Sequence, residues 1–242
     1  MAEIVALSKP INLDLLNEVY EEYIAGLSKQ ESKEKLDEII AQKISSKDNI
    51  RKTRTILQNL WYVDSDWFHE EAASIARYLT RIERLPVHWA LLMNYYRLFI
   101  DMCTVLGQLF EIKDSVSAAQ IKAEIYSKWG ARSTLDASLS KTLKSLRDME
   151  TLTFGNSKTA YAKVNHTVSD PKIAALLFAA VMLATDQQYM TWESFITHPA
   201  IFPFIITDVT QADMAAVSYL AMERMGEQVV FRVREDTNSA PC

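Results

Sequence analysis

Cysteine is almost absent from this chain of 242 residues, which contains only Cys103 and Cys242. Cys103 lies inside an apolar helical pattern, and Cys242 is the last residue of the sequence. Two isolated cysteines do not supply a disulfide framework or a cysteine-based metal site, and a chain without disulfides is typical of a reducing compartment. We therefore expect a cytoplasmic protein.

Glycine and proline are also scarce, with five and six residues respectively. Low use of both favours long helices with few tight turns over a β-sandwich or barrel. The longest apolar run, residues 173–184, is shorter than the roughly 18 residues that a membrane span needs. Residues 1–7 lack the basic start and the long apolar stretch of a signal peptide. The sequence thus predicts a mostly α-helical protein with no membrane partner.

The motifs of catalysis and metal binding are missing as well. The sequence His-Glu-Glu at 69–71 has no second histidine at the spacing of a zinc-protease helix, and we interpret it as the start of a surface helix. His88, His166 and His198 stand alone, without partners at metal-ligand spacing. There is no glycine-rich phosphate loop or nucleophile elbow either. We predict a protein that is not an enzyme, with no catalytic residues, metal or cofactor.

Charge is unevenly distributed along a chain whose formal net charge is −5. Residues 1–40 contain nine acidic residues and four lysines, whereas residues 43–54 contain five basic residues and one acid, Asp48. A second basic segment, 118–164, contains eight basic and four acidic residues. Because a globally acidic protein can still carry a local basic face, these two segments are the candidates for nucleic-acid binding.

Hydrophobic periodicity predicts helices through the first part of the chain. The first begins at its N-cap Asn12 and ends at Gly26, and the second covers residues 29–44. Ser45 and Ser46 offer N-cap oxygens to a third helix, which carries basic side chains opposite its apolar face.

Longer helices are predicted next. Asp64 or Ser65 caps a fourth helix at 66–83, and the apolar stretch 87–112 reads as one long central helix. The last part predicts helices at 171–188, 191–198 and 209–225, a strand at Gln228–Val233 and a polar tail. We divide the chain into an N-terminal helical region, 1–85, a central region, 86–170, and a C-terminal region, 171–242.

Two helices and a hairpin are predicted within 117–165. The helices are Ala118–Trp129 and Ser133–Met149, and two strands, 151–154 and 159–164, flank the turn-like Gly-Asn-Ser-Lys. Helix, turn, helix and hairpin is the order of a winged helix. The predicted fold is therefore a mostly α helical bundle with winged helix-turn-helix-like regions, at 12–62 and 117–165, and a short β-hairpin wing.

The helix 133–149 has the pattern expected of a DNA-recognition helix. One face is an apolar stripe formed by Leu135, Leu139, Leu143, Leu146 and Met149. The opposite face carries Ser133, Ala137, Lys141 and Lys144. Lysines neutralise phosphates, and short side chains let a helix approach base edges. The alternative is a solvated lysine face on a module that binds proteins.

The predicted nucleic-acid contacts combine both basic segments. They are Lys47, Arg51, Lys52, Arg132, Ser133, Lys141, Lys144, Lys158 and Lys163. The helix N-terminus in segment 43–54 adds free N–H groups for a phosphate. The alternative for that segment is a solvated basic face that pairs with the acidic first helices.

Three stretches of the sequence resemble the BrxA family, a small component of the bacteriophage-exclusion (BREX) defence systems. They are the opening helix ending Tyr23-Ile-Ala-Gly-Leu27, the segment Gln42–Arg54 running into Leu57, and Trp129 through Ser133 into the leucine stripe and Leu152. The resemblance covers residues 12–205. It implies a helical protein with winged-helix character that binds double-stranded DNA and works beside a methyltransferase, an ATPase and other BREX proteins. Two alternatives remain: a protein–protein adaptor within the defence complex, and an RNA-binding helical bundle.

Overall fold

The computed structural model describes residues 6–63 and 66–234, and these are mostly α-helical, as the sequence predicts. The predicted caps Asp64 and Ser65 and the polar tail after Arg234 lie outside the described residues. The helices are α1 Leu13–Ile24, α2 Lys29–Ala41, α3 Lys47–Trp61, α4 Trp67–Ala76, α5 Leu85–Tyr95, α6 Arg97–Ile112, α7 Ala118–Trp129, α8 Ser133–Asp148, α9 Pro171–Thr185, α10 Trp192–Ile196 and α11 Gln211–Ala215.

Short strands lie between the helices and form three small sheets. The strands are β1 Val116–Ser117, β2 Leu152–Phe154, β3 Ala160–Lys163, β4 His166–Val168, β5 Phe204–Ile206, β6 Leu220–Met225 and β7 Gln228–Val233. The first sheet is antiparallel with the order β1-β3-β2. β4 and β5 pair in parallel, and β6 and β7 form an antiparallel pair.

Local capping explains where several helices begin. The Asn12 side chain accepts a hydrogen bond from the Leu15 N–H, which confirms the predicted start of α1. Ser117 and Gln120 form a capping box at the start of α7. Ser46 is the N-cap residue of α3, but its hydroxyl makes no capping hydrogen bond, so that part of the prediction is wrong.

Residues 87–112 do not form the single long helix that the sequence predicts. α5 ends at Tyr95, Tyr96 is extended (φ −124°, ψ 96°), and α6 begins at Arg97. The buried Tyr96 reaches across the core, and its hydroxyl donates to the Ile56 carbonyl oxygen of α3 at 3.4 Å. Because neither glycine nor proline stands at this position, the break follows from packing: α5 lies against α9, while α6 lies against a 3-10 turn at Pro199–Ile201.

The fourth helix is also shorter than predicted. α4 ends at Ala76 instead of residue 83, and a separate helical turn leads into α5. In that turn the Glu83 carboxylate accepts hydrogen bonds from the backbone N–H and the hydroxyl of Thr80, at 2.8 and 2.7 Å. This Thr-x-x-Glu arrangement matches the sequence pattern of a capping box, which marks the start of a new helical segment.

Residues 209–225 form a short helix and a strand instead of the predicted single helix. α11 ends at Ala215, and β6 pairs along its whole length with β7, the strand whose position the sequence predicts correctly. Gly226 connects the two strands with a φ of 63°, a left-handed conformation that favours glycine. β6 is a strand because β7 supplies its hydrogen-bond partners, and periodicity within 209–225 does not contain that information.

One continuous hydrophobic core joins residues from all three predicted regions. At its centre, α9 buries every residue from Ile173 to Met182. The Trp89 indole N–H of α5 donates to the Ala200 carbonyl oxygen at 3.1 Å. α6 approaches the 3-10 turn so closely that a β-carbon added at Gly107 would lie 2.1 Å from the Pro199 carbonyl oxygen. Within 6–63 and 66–234, no helix has both the length and the apolar character needed to cross a membrane.

Candidate nucleic-acid interface

Residues 116–164 form a compact arrangement that we call the α7–α8 unit: β1, α7, α8, β2 and β3. α7 and α8 lie where the sequence predicts them, and β2 and β3 form the predicted hairpin. Gly130, with a φ of 74°, ends α7. Arg132 is extended, and α8 begins at Ser133. The two helices are therefore joined by a tight turn, and the hairpin follows α8 directly.

α8 faces the core as predicted. Its buried side is formed by Leu135, Leu139, Leu143 and Leu146, with Met149 just beyond its end. On the other side Ser133, Ala137 and Lys144 are exposed, while Lys141 is half-buried. Because the apolar stripe is inside, the polar side of α8 is available to a ligand.

Acidic residues of the same chain hold part of the positive charge of the α7–α8 unit. Lys122 lies 2.9 Å from Asp136, which links α7 to α8. The Tyr126 hydroxyl also donates to Asp136. This hydroxyl and the Lys122 ammonium together lower the pKa of the Asp136 carboxyl. Asp136 thus joins α7 to α8 and pairs with Lys122 within the chain.

The two central lysines of α8 differ from each other. The Lys144 ammonium lies 2.7 Å from the Asp148 carboxylate, one turn further along, yet the Lys144 side chain is 52% exposed. Lys141 makes no ion pair with any residue of 6–63 or 66–234. Lys141 therefore meets the expectation of a free cation on α8, whereas Lys144 is exposed but paired within the chain.

Other predicted contacts lie around the edge of the unit. Arg132 is exposed just before α8, Lys158 is exposed in the turn between β2 and β3, and Lys163 is exposed at the end of β3. None of these three forms an ion pair with another described residue. The α7–α8 unit therefore keeps four unpaired basic residues: these three and Lys141.

An aromatic pair, which the sequence analysis missed, lies on the hairpin. Phe154 of β2 and Tyr161 of β3 are register partners, with ring centroids 6.1 Å apart and planes at 27°. The Arg147 guanidinium lies 4.5 Å from the centroid of the Phe154 ring. Phe154 is 43% exposed. The pair anchors the hairpin against the end of α8, and only the strand register could have revealed it.

The second basic segment, at the start of α3, is organised differently. Arg51 and Lys52 share one acid, Asp48, at 2.8 and 2.7 Å. The Lys52 ammonium and then the Arg51 guanidinium lower the pKa of Asp48 to about 2. Arg54 pairs with Asp37 of α2. Lys47 is exposed and has no ion pair within the described residues. For Arg54 the structure matches the alternative in which this segment pairs with the acidic first helices.

The two basic segments lie in different parts of the packing. α3 packs mainly on α1, α2 and α5, whereas α8 packs on β2. The Ser145 hydroxyl of α8 also accepts a hydrogen bond from the Ile11 backbone N–H at 3.0 Å. The two basic segments thus pack against different elements of the fold.

The histidines have structural surroundings. His69 lies in the first turn of α4, so the predicted helix start is confirmed, but its side chain is buried, so its predicted position on the surface is wrong. Its Nδ1 lies 2.8 Å from the Asp66 carboxylate and its Nε2 lies 3.1 Å from the Tyr95 hydroxyl. Burial, with a smaller effect of Arg84, lowers the pKa of the fully buried His88 to about 3, so His88 is neutral at pH 7. No group of three or more potential metal ligands occurs within 6–63 and 66–234.

Comparison with known proteins returns no family model, no curated protein and no solved structure that matches the chain.

Proposed function

We propose that this protein binds duplex DNA through the α7–α8 unit, without catalysis, as a cytoplasmic component of a BREX phage-defence system. The observation that carries the proposal is the orientation of α8: its leucine stripe is buried, and its serine-, alanine- and lysine-bearing side is open. Such a helix can enter a major groove while its back remains in the core.

The order of elements supports a winged helix. α6, β1, α7, α8, β2 and β3 follow one another, and β3 lies between β1 and β2 in the sheet. On this interpretation α8 is the recognition helix, α7 is the helix that crosses the phosphate backbone, and β2 with β3 is the wing. Lys158 then lies at the tip of the wing, next to the backbone of the adjoining groove.

Electrostatics supports phosphate contact at the start of α8. No side chain caps its N-terminus, because Arg132 occupies the N-cap position without a capping hydrogen bond. The free N–H groups and the helix dipole attract a phosphate there, and the Arg132 guanidinium is adjacent. Lys141, Lys158 and Lys163 add charge. Lysines act as point charges and do not read base edges bidentately, so we propose binding that is largely independent of sequence.

Membership of a BREX system rests on the resemblance to BrxA, and other BREX proteins are the proposed partners. A cell that carries the complete system should lose phage protection when a binding-deficient but folded variant replaces the wild-type chain. If that variant protects cells as well as wild type does, DNA binding by this protein is not needed for phage defence.

Titration of labelled ligands tests the binding directly. Fluorescence anisotropy with a short duplex, the matching single strand and an RNA of the same sequence, each at two salt concentrations, should show the tightest binding for the duplex. Tighter binding of RNA would favour the RNA-binding bundle.

The second candidate function is that of a protein–protein adaptor. Two observations favour it: Lys144 is paired with Asp148, and the apolar side chains of Phe154 and Ile112 are 43% and 80% exposed. If none of the three nucleic acids binds at low salt, the adaptor becomes the better description.

A further inference from the structure

Asp101 is a buried carboxylate of α6 that the sequence analysis did not single out. Its side chain is only 5% exposed. One oxygen accepts a hydrogen bond from the Lys128 ammonium at 2.7 Å, and the other accepts from the Trp129 indole N–H at 2.8 Å. The Arg97 guanidinium lies 3.9 Å away on the same helix. Both carboxylate oxygens are thus occupied by donors.

The two donors come from a critical point of the chain. Lys128 and Trp129 are the last two residues of α7, and the turn at Gly130 follows them immediately. Arg132 and the uncapped start of α8 come next. A carboxylate with two fixed donors defines the position of the end of α7 relative to α6, and hence the point from which α8 departs.

We propose that Asp101 is a positioning residue for DNA binding: it anchors the end of α7 to α6 and so fixes the Gly130 turn that presents Arg132 and the α8 N-terminus to the duplex. This inference rests on the proposed function. It assigns to a buried acid, which repels DNA by its charge, a role that increases DNA affinity.

The sign of the effect separates positioning from simple electrostatics. Removing a negative charge from a protein that binds a polyanion strengthens binding when only charge matters. Asp101→Asn also releases Lys128 from its ion pair, which acts in the same direction. Loss of the anchor acts in the opposite direction, because Arg132 and the helix N-terminus are then less well placed for the phosphate.

Three single variants make the test. Asp101→Asn removes the charge and weakens the anchor, while Trp129→Phe keeps the charge and removes only the indole N–H donor. Glu124→Gln is the matched control, since Glu124 is an exposed acid on α7. Affinity for a fluorescein-labelled duplex is measured at two salt concentrations, and urea unfolding shows the conditions under which each variant is folded.

We expect Asp101→Asn to weaken duplex binding by about three-fold or more and Trp129→Phe by about two-fold, while Glu124→Gln binds as well as wild type or better. The dependence of affinity on salt should also become shallower in Asp101→Asn, because fewer phosphates are neutralised. A role limited to stability would lower the urea midpoint but leave the affinity of the folded protein unchanged.

Two results would overturn the inference. One is duplex binding by folded Asp101→Asn that equals or exceeds that of wild type. The other is unchanged binding by Trp129→Phe. Because this variant preserves the charge and is the more conservative change, it keeps the test valid if Asp101→Asn does not fold. If the wild-type chain itself does not bind duplex, the proposed function fails and this inference fails with it; loss of the inference alone leaves wild-type binding intact.

Discussion

The two basic segments look alike in composition and differ in what the fold does with their charge. At the start of α3, Arg51 and Lys52 are held by Asp48, and Arg54 by Asp37. In the α7–α8 unit four basic residues have no ion pair with another described residue: Arg132, Lys141, Lys158 and Lys163. A local excess of basic residues therefore identifies a candidate surface. The positions of nearby acidic residues decide how many of those basic residues remain unpaired.

α8 and α3 also differ in how their basic side chains contact the rest of the fold. The buried side of α8 is mostly apolar, with Thr142 and Ser145 as its buried polar residues, and its open side carries Lys141 and Lys144. In α3, Arg51 pairs with Asp48 in the first turn of the same helix, and Arg54 pairs with Asp37 of α2. This difference predicts that DNA binding depends on α8 more than on α3.

The largest expected effect is that of Leu143→Ala. Leu143 is 5% exposed on the inner side of α8, and its truncation should reduce the free energy of unfolding by about 2–5 kcal/mol because it removes buried contacts and leaves a cavity. Urea denaturation measures this loss. Ser140→Ala, on the open side of the same helix, is the control and should change stability little. A small loss in Leu143→Ala would mean that the back of α8 does not hold the unit in place.

Salt concentration should have the next largest effect, on affinity instead of stability. If the four unpaired basic residues each neutralise one phosphate, log affinity falls against log salt with a slope of magnitude about 3–4. Affinity should then drop about 100-fold between about 50 and 200 mM salt. Anisotropy titrations at several salt concentrations give the slope, and a slope near zero would defeat the electrostatic mechanism. A tight preference for one sequence that persists at high salt would contradict non-specific binding.

Charge reversal compares the two segments directly. Lys141→Glu with Lys144→Glu should weaken duplex binding several-fold or more, with nearly unchanged thermal stability, because the partly exposed Lys144–Asp148 pair contributes only about 0.5 kcal/mol. The matched double variant, Arg51→Glu with Lys52→Glu, should weaken binding less. Equal losses would show that both segments contact DNA, and an unchanged affinity in the α8 variant would remove α8 from the interface.

The smallest expected effect is a pH-dependent change in stability caused by Glu22 in the N-terminal helices. Glu22 of α1 is 2% exposed, and burial raises the pKa of its carboxyl, an effect that the Ser32 hydroxyl only partly offsets. A raised pKa in the folded state means that this group favours folding at low pH and that its contribution is lost as the pH rises through the folded pKa. Glu22→Gln should therefore raise the urea midpoint at pH 7.

That stabilisation should disappear below the ordinary glutamate pKa, where the wild-type carboxyl is protonated as well. Glu38→Gln, exposed on α2, is the control and should leave the midpoint unchanged at both pH values. A lower urea midpoint for Glu22→Gln at pH 7 would contradict this prediction, because it would show that the charged Glu22 carboxylate stabilises the folded protein.

Several features of the fold were accessible from the sequence because their causes are local. The Asn12 cap, the helices of the α7–α8 unit and the buried leucines of α8 follow from capping chemistry and helical periodicity. The Thr80 and Glu83 pattern and the glycine at position 226 were equally local signals, and they mark the two element boundaries that the periodicity prediction placed wrongly.

Other features have causes that lie far away in the chain. The break at Tyr96 depends on α3, α9 and the turn at 199–201. β4 is three residues long and forms through its parallel partner β5, from a distant part of the sequence. A strand of that length has no periodicity to detect, and its partner is known only once the chain is folded.

For this protein the sequence by itself determined the helical class, the positions of the basic segments and the inward side of α8, because periodicity, charge and capping act over a few residues. Only the tertiary structure decided which cations remain free and what holds the turn before α8. Lys144 meets Asp148 through helix geometry, but Asp101 meets Lys128 and Trp129 only because α6 and α7 pack together. The balance between free and paired charge is set by contacts between distant residues, and composition does not contain it.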